Sequence, residues 1–264
     1  MSPEADGLEI TFLGTGTSHG IPVIGCSCAV CRSDDPRDKR LRTAILVRTP
    51  GFAFCVDTPP DFRQQCLREG IGRLDAVVYT HSHCDHVLGF DDLRRFCELG
   101  DTEIPIHASP ATLADLTRVF QYAFADGPKF RNYVRPDPRP FDGEFFLGDT
   151  RIVPVELPHG RTTTNGLVFW RGGRKRFAYM TDCQAVPDAA LEAAAGVDVL
   201  VLDALRHEQH STHLTVRQAL EVVGRMRPGM TYFIHMCHDL GHAATEAGLP
   251  ENVRLAYDGL TIHV

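Results

Sequence analysis

The sequence predicts an α/β protein of the α+β kind, a sandwich of two mixed β-sheets with helices on the outer faces. Two observations carry the prediction. Strand-length runs, apolar or alternating, recur in both halves of the chain, and helical patterns fall between and after them, so each sheet has helices to cover it. No internal repeat or low-complexity tract interrupts the pattern, and 264 residues are enough to bury a real core, so residues 1–264 are read as one domain.

The elements follow in order. Residues 8–13 alternate apolar and polar and read as a strand, and Gly14, Gly16 and Gly20 punctuate the loop after it. Residues 43–49 and 52–57 are two strands joined by a turn at Pro50-Gly51. Asp61 to Glu69 is helical, 75–80 is a short buried strand, and Asp91 to Leu99 is a helix whose acidic first turn suits the macrodipole. Residues 104–107 form a strand, and Ser109-Pro110 starts a helix over 111–123. Residues 126–144 are rich in Gly, Pro and charge, and Phe120, Tyr122, Phe124, Phe130 and Tyr133 lie in or near them; the whole segment 111–144 is a candidate lid or insertion. Strands return at 151–157, 166–170, 176–181, 198–203, 231–235 and 260–264, with a helix over 215–226.

Composition narrows the function. The formal net charge of −7 argues against a general polyanion binder, so nucleic acid is a disfavoured partner. Arg37, Lys39, Arg40 and Arg42 make a local basic run, which more often marks a solvated face than a nucleic-acid contact. Met1 to Gly7 is polar and lacks a signal-peptide pattern, and no apolar run approaches the ~20 residues that cross a bilayer, so a cytoplasmic location with no membrane partner is expected. Nine cysteines, an odd count with three inside six positions, favour metal over disulfides in a reducing compartment.

The strongest signal is Thr80-His81-Ser82-His83-Cys84-Asp85-His86, three imidazoles and a carboxylate directly after a buried strand. In an extended segment His81 and His83 face the same way, and Asp85 and His86 lie where the chain turns and can serve a second position. Imidazole and carboxylate suit Zn²⁺, Mn²⁺ and Fe²⁺. This H-x-H-x-D-H pattern resembles the signature of the metallo-β-lactamase superfamily, over nearly the whole chain. The resemblance implies an αββα sandwich with two divalent metals, Zn²⁺ or Mn²⁺ with Fe²⁺ an alternative, at the edge between the sheets. It also implies the remaining ligands. His159 resembles the third histidine of the first metal, beside His81 and His83. His235 resembles the last histidine of the second, beside Asp85 and His86, and Asp182 resembles the bridging carboxylate.

Cys26, Cys28 and Cys31 supply three thiolates, and a closed tetrahedral zinc site needs a fourth ligand. His238 is preferred, with Cys237 and His242 as rivals; Cys55, Cys66, Cys84, Cys97 and Cys183 read as small core residues. The thiolate pattern with a paired C-terminal His-x-x-His is similar to the PhnP-like phosphodiesterases, as are the Gly14-Thr15-Gly16-Thr17 start and the segment from Asp57 to Arg63. That likeness implies one structural Zn²⁺ and a small phosphodiester substrate such as a cyclic ribosyl phosphate; the likeness and the base rate of symmetric oligomers both point to a homodimer. His213 resembles the non-ligand histidine used near the leaving group, so it is the candidate general acid, with His210 a close competitor and His207 a weaker one. Asp85 joins it as a catalytic candidate. Asp203 and Asp57 are candidates for orienting ligand histidines, Arg206 and Arg63 for gripping phosphate, and His19 for the pocket mouth. His107 and His263 read as strand residues without chemistry. The rival readings are an RNA-processing nuclease like tRNase Z, a lactonase or β-lactamase, and a non-catalytic biosynthetic protein like PqqB.

Overall fold

Runs that are apolar at nearly every position become strands buried on both faces, and the computed structural model arranges them in two sheets. It describes residues 7–127, 130 and 132–264; the first six residues of the N-terminal segment and residues 128, 129 and 131 of the candidate lid lie outside the described residues. The strands are β1 (Glu9–Gly14), β2 (Ala44–Thr49), β3 (Phe52–Val56), β4 (Ala76–Val78), β5 (Ile104–Ala108), β6 (Pro136–Pro140), β7 (Phe145–Leu147), β8 (Thr150–His159), β9 (Thr162–Arg171), β10 (Arg174–Met180), β11 (Val199–Asp203), β12 (Met230–Ile234), β13 (Val253–Leu255) and β14 (Thr261–His263). One seven-stranded sheet runs β14-β1-β2-β3-β4-β5-β6 and the other β13-β12-β11-β10-β9-β8-β7. Each is mixed. The hairpin half is antiparallel, and β3 to β6 and β10 to β13 are parallel.

Alternation along each strand sorts the core into layers. Ile45, Val47, Phe54, Phe169, Phe177, Tyr179 and Val201 pack between the sheets. Their neighbours on the opposite faces meet helices. Ala44, Leu46 and Cys55 join a cluster with Phe62 and Leu116, whereas Ala178, Met180 and Leu202 join one with Leu191 and Val222. Helices Phe62–Arg68 and Pro110–Val119 thus cover the first sheet, and Asp188–Ala194 and Val216–Met226 the second, giving the αββα layering. The last of these helices is started by Thr215, which exchanges capping hydrogen bonds with Gln218, and this fixes where His213 leaves the helix entrance.

Within 111–144 much of the described chain is built into the fold. The helix expected over 111–123 breaks at Phe120, whose φ and ψ of −110° and 43° leave the helical region. Phe120 and Phe124 stack on Phe90 and belong to or pack against the core cluster of the first sheet. Pro136–Pro140, expected in an irregular stretch, pairs in parallel with β5 as an edge strand. Its three prolines hid it from a pattern reading, and an edge position is where a strand tolerates them.

The sheets are stitched together beside the ends of their parallel strands. Asn165 on β9 donates both its backbone and side-chain N–H to Thr80 O (3.0 Å each). Thr15 and Thr17 trade backbone bonds with Met236 (3.0 and 3.1 Å). The second stitch requires the β1 exit to lie flat on its neighbours. A Cβ on Gly14 would sit 2.0 Å from Arg42 O. Gly14→Ala is therefore expected to cost about 3 kcal/mol by forced backbone movement, read as a lower midpoint in urea unfolding; a change within ~0.5 kcal/mol would contradict the close packing drawn here.

Candidate functional site

Five strands of the two sheets end at one edge, and each hands over a polar residue there. β3 passes into Asp57, β4 into Thr80 and His81, β10 into Asp182, β11 ends on Asp203, and β12 passes into His235. Asp57, Asp182 and His235 adopt left-handed backbone (φ 67°, 54° and 60°). For non-glycine residues that costs about 1–2 kcal/mol each, so the fold holds three strained turns to aim three side chains at one point.

Those turns and the His81–His86 segment converge. His81, His83 and His159 form one group, and Asp85, His86, Asp182 and His235 another; within each, the potential ligand atoms all lie within 4.8 Å of one another. Asp182 sits between the groups. Its Oδ2 is 3.2 Å from His86 Nε2, and its Oδ1 is 3.2 Å from His235 Nε2 and 4.0 Å from His159 Nε2. The structure thus brings together all seven residues expected at a two-metal centre.

Partners outside the cluster decide where the protons lie. Asp57 is fully buried and accepts from His86 Nδ1 (2.7 Å), Thr80 N and Thr80 Oγ1 (2.9 Å each). Since the Thr80 hydroxyl proton goes to Asp57, Thr80 Oγ1 accepts from His81 Nδ1 (3.0 Å). His159 Nδ1 faces the carbonyl of Thr212 (2.9 Å), which only accepts. In neutral rings the Nε2 atoms of His81, His86 and His159 are then left as lone pairs. Those of His81, His86 and His235 are buried with no hydrogen-bond partner. Lone pairs aimed at carboxylates repel unless a positive charge lies between them. The electrostatics say the same. Burial opposes charge on His86, yet Asp182, Asp57 and Asp85 outweigh it and raise its proton affinity well above the usual imidazole range. Burial pushes Asp85 and Asp182 toward neutrality, and the surrounding histidines more than reverse it. The donor set fits divalent cations.

The open side is a cleft of about 500 Å³ lined by His83, Asp85, His159, Asp182, His213 and His235, with Ser18, Gly160, Arg161, Thr162, His210 and Thr212 around them. His213 lies over the cluster, its ring 4.8 Å from that of His159 and 4.7 Å from that of His235. Its Nδ1 is 2.9 Å from Asp203 Oδ2, which also accepts from Cys183 N–H (3.0 Å). Burial alone would lower the His213 proton affinity, but Asp203 outweighs it and holds the group near a pKa of about 9. Part of that rise comes from Asp182 and Asp85, charges that bound cations would offset.

A second cluster lies at the other end of the His235 loop. Cys26, Cys28 and Cys31 surround His238, with Sγ to Nδ1 distances of 3.2, 3.6 and 3.6 Å. The rivals are engaged elsewhere: the Cys237 thiol bonds Asp239, and His242 Nε2 is 3.4 Å from Glu246. Arg40 anchors this loop. Its buried guanidinium donates to Cys237 O (3.1 Å) and Leu240 O (2.7 Å) and pairs with Asp38 (3.2 Å).

Several expectations are corrected. Arg40 is interior, Arg37 and Arg42 pair with Asp35 and Asp61, and Lys39 bonds Cys31 O, so the basic run serves the fold. Arg63 lines a different groove, beside Cys66 and Leu99, and Arg206 spends its guanidinium on Glu208 O and Gln209 O; neither lines the cleft over the cluster. His19 is exposed and does not line it either, although Ser18 does. Asp203 bonds His213 directly and stays 4.0 Å from ligand candidate His235, so it orients the former. Cys84 is exposed rather than a core residue. Sequence reasoning overlooked Thr80 and Thr212, whose roles depend on backbone placement, and Arg40, whose burial no local pattern announces.

Comparisons with known proteins address the family and the fold. The family profile described as a beta-lactamase superfamily domain matches residues 53–236. An octanoyltransferase from Porphyromonas gingivalis is 35% identical over 262 residues, covering 96% of this chain and 51% of its own length. A ribonuclease Z from Bradyrhizobium diazoefficiens is 30% identical over 210 residues, 74% of this chain and 61% of its own. The chain thus spans about half to three-fifths of these curated relatives. Among solved structures, a new diphosphatase from the PhnP family is 40% identical with a TM-score of 0.90, covering 98% of this chain and 97% of that one. Zn²⁺-bound PqqB from Methylobacterium extorquens (21% identical, TM-score 0.78, 96% and 99% covered) shares the fold.

The thiolate cluster yields a test of its own. Cys28 accepts the Cys31 backbone N–H, and Cys26, Cys31 and His238 add further bonds, so its thiol is held at about 6, below the ordinary thiol value. The thiolate is favoured above that pH and lost below it. In metal-stripped protein, iodoacetamide should alkylate Cys28 with a rate midpoint near pH 6; a midpoint near that of a free thiol, about 8.5, would contradict the arrangement.

Proposed function

Because the chain belongs to the metallo-β-lactamase superfamily, as a PhnP-like hydrolase, we propose that it is a metal-dependent phosphodiesterase acting on a small phosphoester, cyclic ribosyl phosphates among them. The observation that carries this reading is the convergence of six donors on Asp182, with unpartnered imidazole nitrogens among them, faced across the cleft by a histidine outside that set of seven. His81, His83 and His159 would hold one divalent cation and Asp85, His86 and His235 the other, with Asp182 shared. Such cations supply Lewis acidity toward a phosphoryl oxygen and lower the pKa of a water. Cys26, Cys28, Cys31 and His238 would close a structural zinc in the four-ligand manner of such sites.

The rest falls to the protein. Asp57 keeps His86 and, through Thr80, His81 in the tautomer that points Nε2 inward. Thr212 O does this for His159. Asp203 accepts the Nδ1–H of His213, so the opposite nitrogen of that ring is the one able to protonate a departing oxygen as general acid. His210 lacks a carboxylate partner: its Nδ1 receives Thr212 N–H (3.3 Å), and burial followed by the charge of His213 lowers its proton affinity. The acid role therefore falls to His213. A phosphorus flanked by two bridging oxygens is the electrophile in a diester and in a diphosphate alike, and the PhnP-family neighbour is called a diphosphatase, so diphosphates belong among the candidate substrates. The ribonuclease reading has relatives in its favour, but the net charge of −7 and a cleft with one lining arginine offer little to hold a polyanion. No helix among the described residues is long and apolar enough to cross a membrane.

Protein loaded with Zn²⁺ or Mn²⁺ is expected to turn over bis-p-nitrophenyl phosphate, cyclic sugar phosphates or dinucleoside diphosphates, and to leave monoesters and lactones intact. Activity confined to lactones or to pre-tRNA would overturn the proposal. For the acid, His213→Ala should lower kcat by about 10²–10⁴-fold on an alkoxide leaving group and much less on p-nitrophenolate, which leaves without a proton. Equal losses on both would remove His213 from that role.

A further inference from the structure

Among the histidines of the two groups, His83 is the least constrained. The rings of His81, His86 and His159 each have a hydrogen-bond partner behind them. His235 has none, but it is buried and stacks on the rings of His86 and His213. His83 is exposed, and its ring makes no hydrogen bond with the described residues. Its direction therefore depends on how firmly the backbone around it is held. Ser82, between the two ligands, turns the other way. Where the rings of His81 and His83 face that of His159, the Ser82 hydroxyl donates to Asp115 Oδ2 (2.7 Å).

Asp115 belongs to helix Pro110–Val119, which is itself fixed. Ser109 caps the helix, its Oγ accepting Thr112 N–H (3.3 Å), and Leu113 and Leu116 are buried in the core cluster of the first sheet. One turn along, Arg118 Nη2 donates to Asp115 Oδ1 (3.0 Å), which leaves Oδ2 for the serine. The bonds from Ser82 and then Arg118 hold the Asp115 carboxyl below its ordinary range, so it is an anion at neutral pH. At 2.7 Å the serine contact has the length of a charge-assisted O–H···O⁻ bond. The same stretch of chain meets the ligand segment again further along. Phe120 and Phe124 stack on Phe90, and the Tyr122 hydroxyl bonds Asp91. Residues 110–124 thus grip the ligand segment on both sides of Cys84–Val87.

We propose that Asp115 is a positioning residue: through Ser82 it fixes where His83 presents its ring, and so sets the affinity of the His81, His83 and His159 group for a cation. This rests on the two-cation reading of the site and deepens it. A ligand ring directed only by its own backbone loses freedom when a cation binds, and an anchor on the adjacent residue removes that freedom beforehand. In this role the segment 110–124 is a strut for the ligand segment and not a lid over it. Neither Ser82 nor Asp115 lines the cleft, so both can be changed without removing a ligand or a contact to substrate.

With the thiolate cluster filled by Zn²⁺, Mn²⁺ is titrated into the protein and the free ion is followed by electron paramagnetic resonance. Thiolates disfavour Mn²⁺, so the titration reports the imidazole and carboxylate groups. Ser82→Ala and Asp115→Ala should each weaken one of two bound Mn²⁺ ions by about tenfold, and the double variant should be no worse than either alone. Asp115→Asn, whose amide oxygen still accepts the serine proton, should stay within about threefold of the parent. In crystals of Asp115→Ala at limiting Mn²⁺, the anomalous peak among His81, His83 and His159 should fade while the one among Asp85, His86 and His235 persists. Unchanged affinity in both alanine variants, a loss in Asp115→Asn equal to that in Asp115→Ala, or equal weakening of both ions overturns the proposal. A second readout needs no cation. In metal-free protein, amide hydrogen exchange over residues 80–86 should quicken in Asp115→Ala and not in Asp115→Asn. If the parent takes up no Mn²⁺, the two-cation reading fails and the exchange comparison decides the anchor: faster exchange upholds it, unaltered exchange overturns it.

Discussion

A carboxylate buried among imidazoles is the constraint on which the site depends. Asp182 lies 2% exposed, with Nε2 atoms of His86 and His235 at 3.2 Å and no aligned hydrogen bond to either of those nitrogens. A buried negative charge without compensation is among the costliest features a fold can carry. The outer partners of His81, His86 and His159 hold one ring proton of each on Nδ1, so the compensating positive charge has to enter on the Nε2 side, as a cation or as a second ring proton. The cluster is a charge deficit arranged in space, and divalent cations are what it is shaped to accept.

That requirement explains features otherwise hard to place. Three non-glycine residues in left-handed backbone end three strands at this edge, and their strain is tolerated because sheets on both sides hold the strand ends. Asp57 lies beneath the site and reaches two imidazoles at once, one directly and one through the Thr80 hydroxyl. The His235 loop is held by the Thr15 and Thr17 backbone on one side and by the Arg40 guanidinium on the other. His235 and His238, three residues apart, face different clusters, so the thiolate cluster and the His–Asp cluster share one short loop and tie the N-terminal segment to the C-terminal half.

Legibility from sequence followed the range of the interactions. His81, His83, Asp85 and His86 were readable because one short segment supplies all four. His159, Asp182 and His235 came only through family resemblance, since a lone histidine or aspartate at a strand end looks the same whether or not it meets a partner from the other sheet. The layering was legible because strands such as Val199–Asp203 are buried on both faces and read as unbroken apolar runs. Pro136–Pro140 was not, because its edge position is a property of the finished sheet. The arginines misled for a related reason. Arg206 and Arg63 have the right chemistry for phosphate, but their surroundings direct them elsewhere, while Arg161 went unremarked in a hairpin turn beside His159.

Anomalous diffraction from a crystal of the Zn²⁺-loaded protein, recorded on either side of the zinc edge, addresses the electrostatic claim most directly. The account predicts two peaks flanking the Asp182 carboxylate, one bounded by His81, His83 and His159 and the other by Asp85, His86 and His235, with a third among Cys26, Cys28, Cys31 and His238. A map with density at the thiolates and none beside Asp182 would contradict it, since the unpaired imidazoles would then face buried carboxylates with nothing between them.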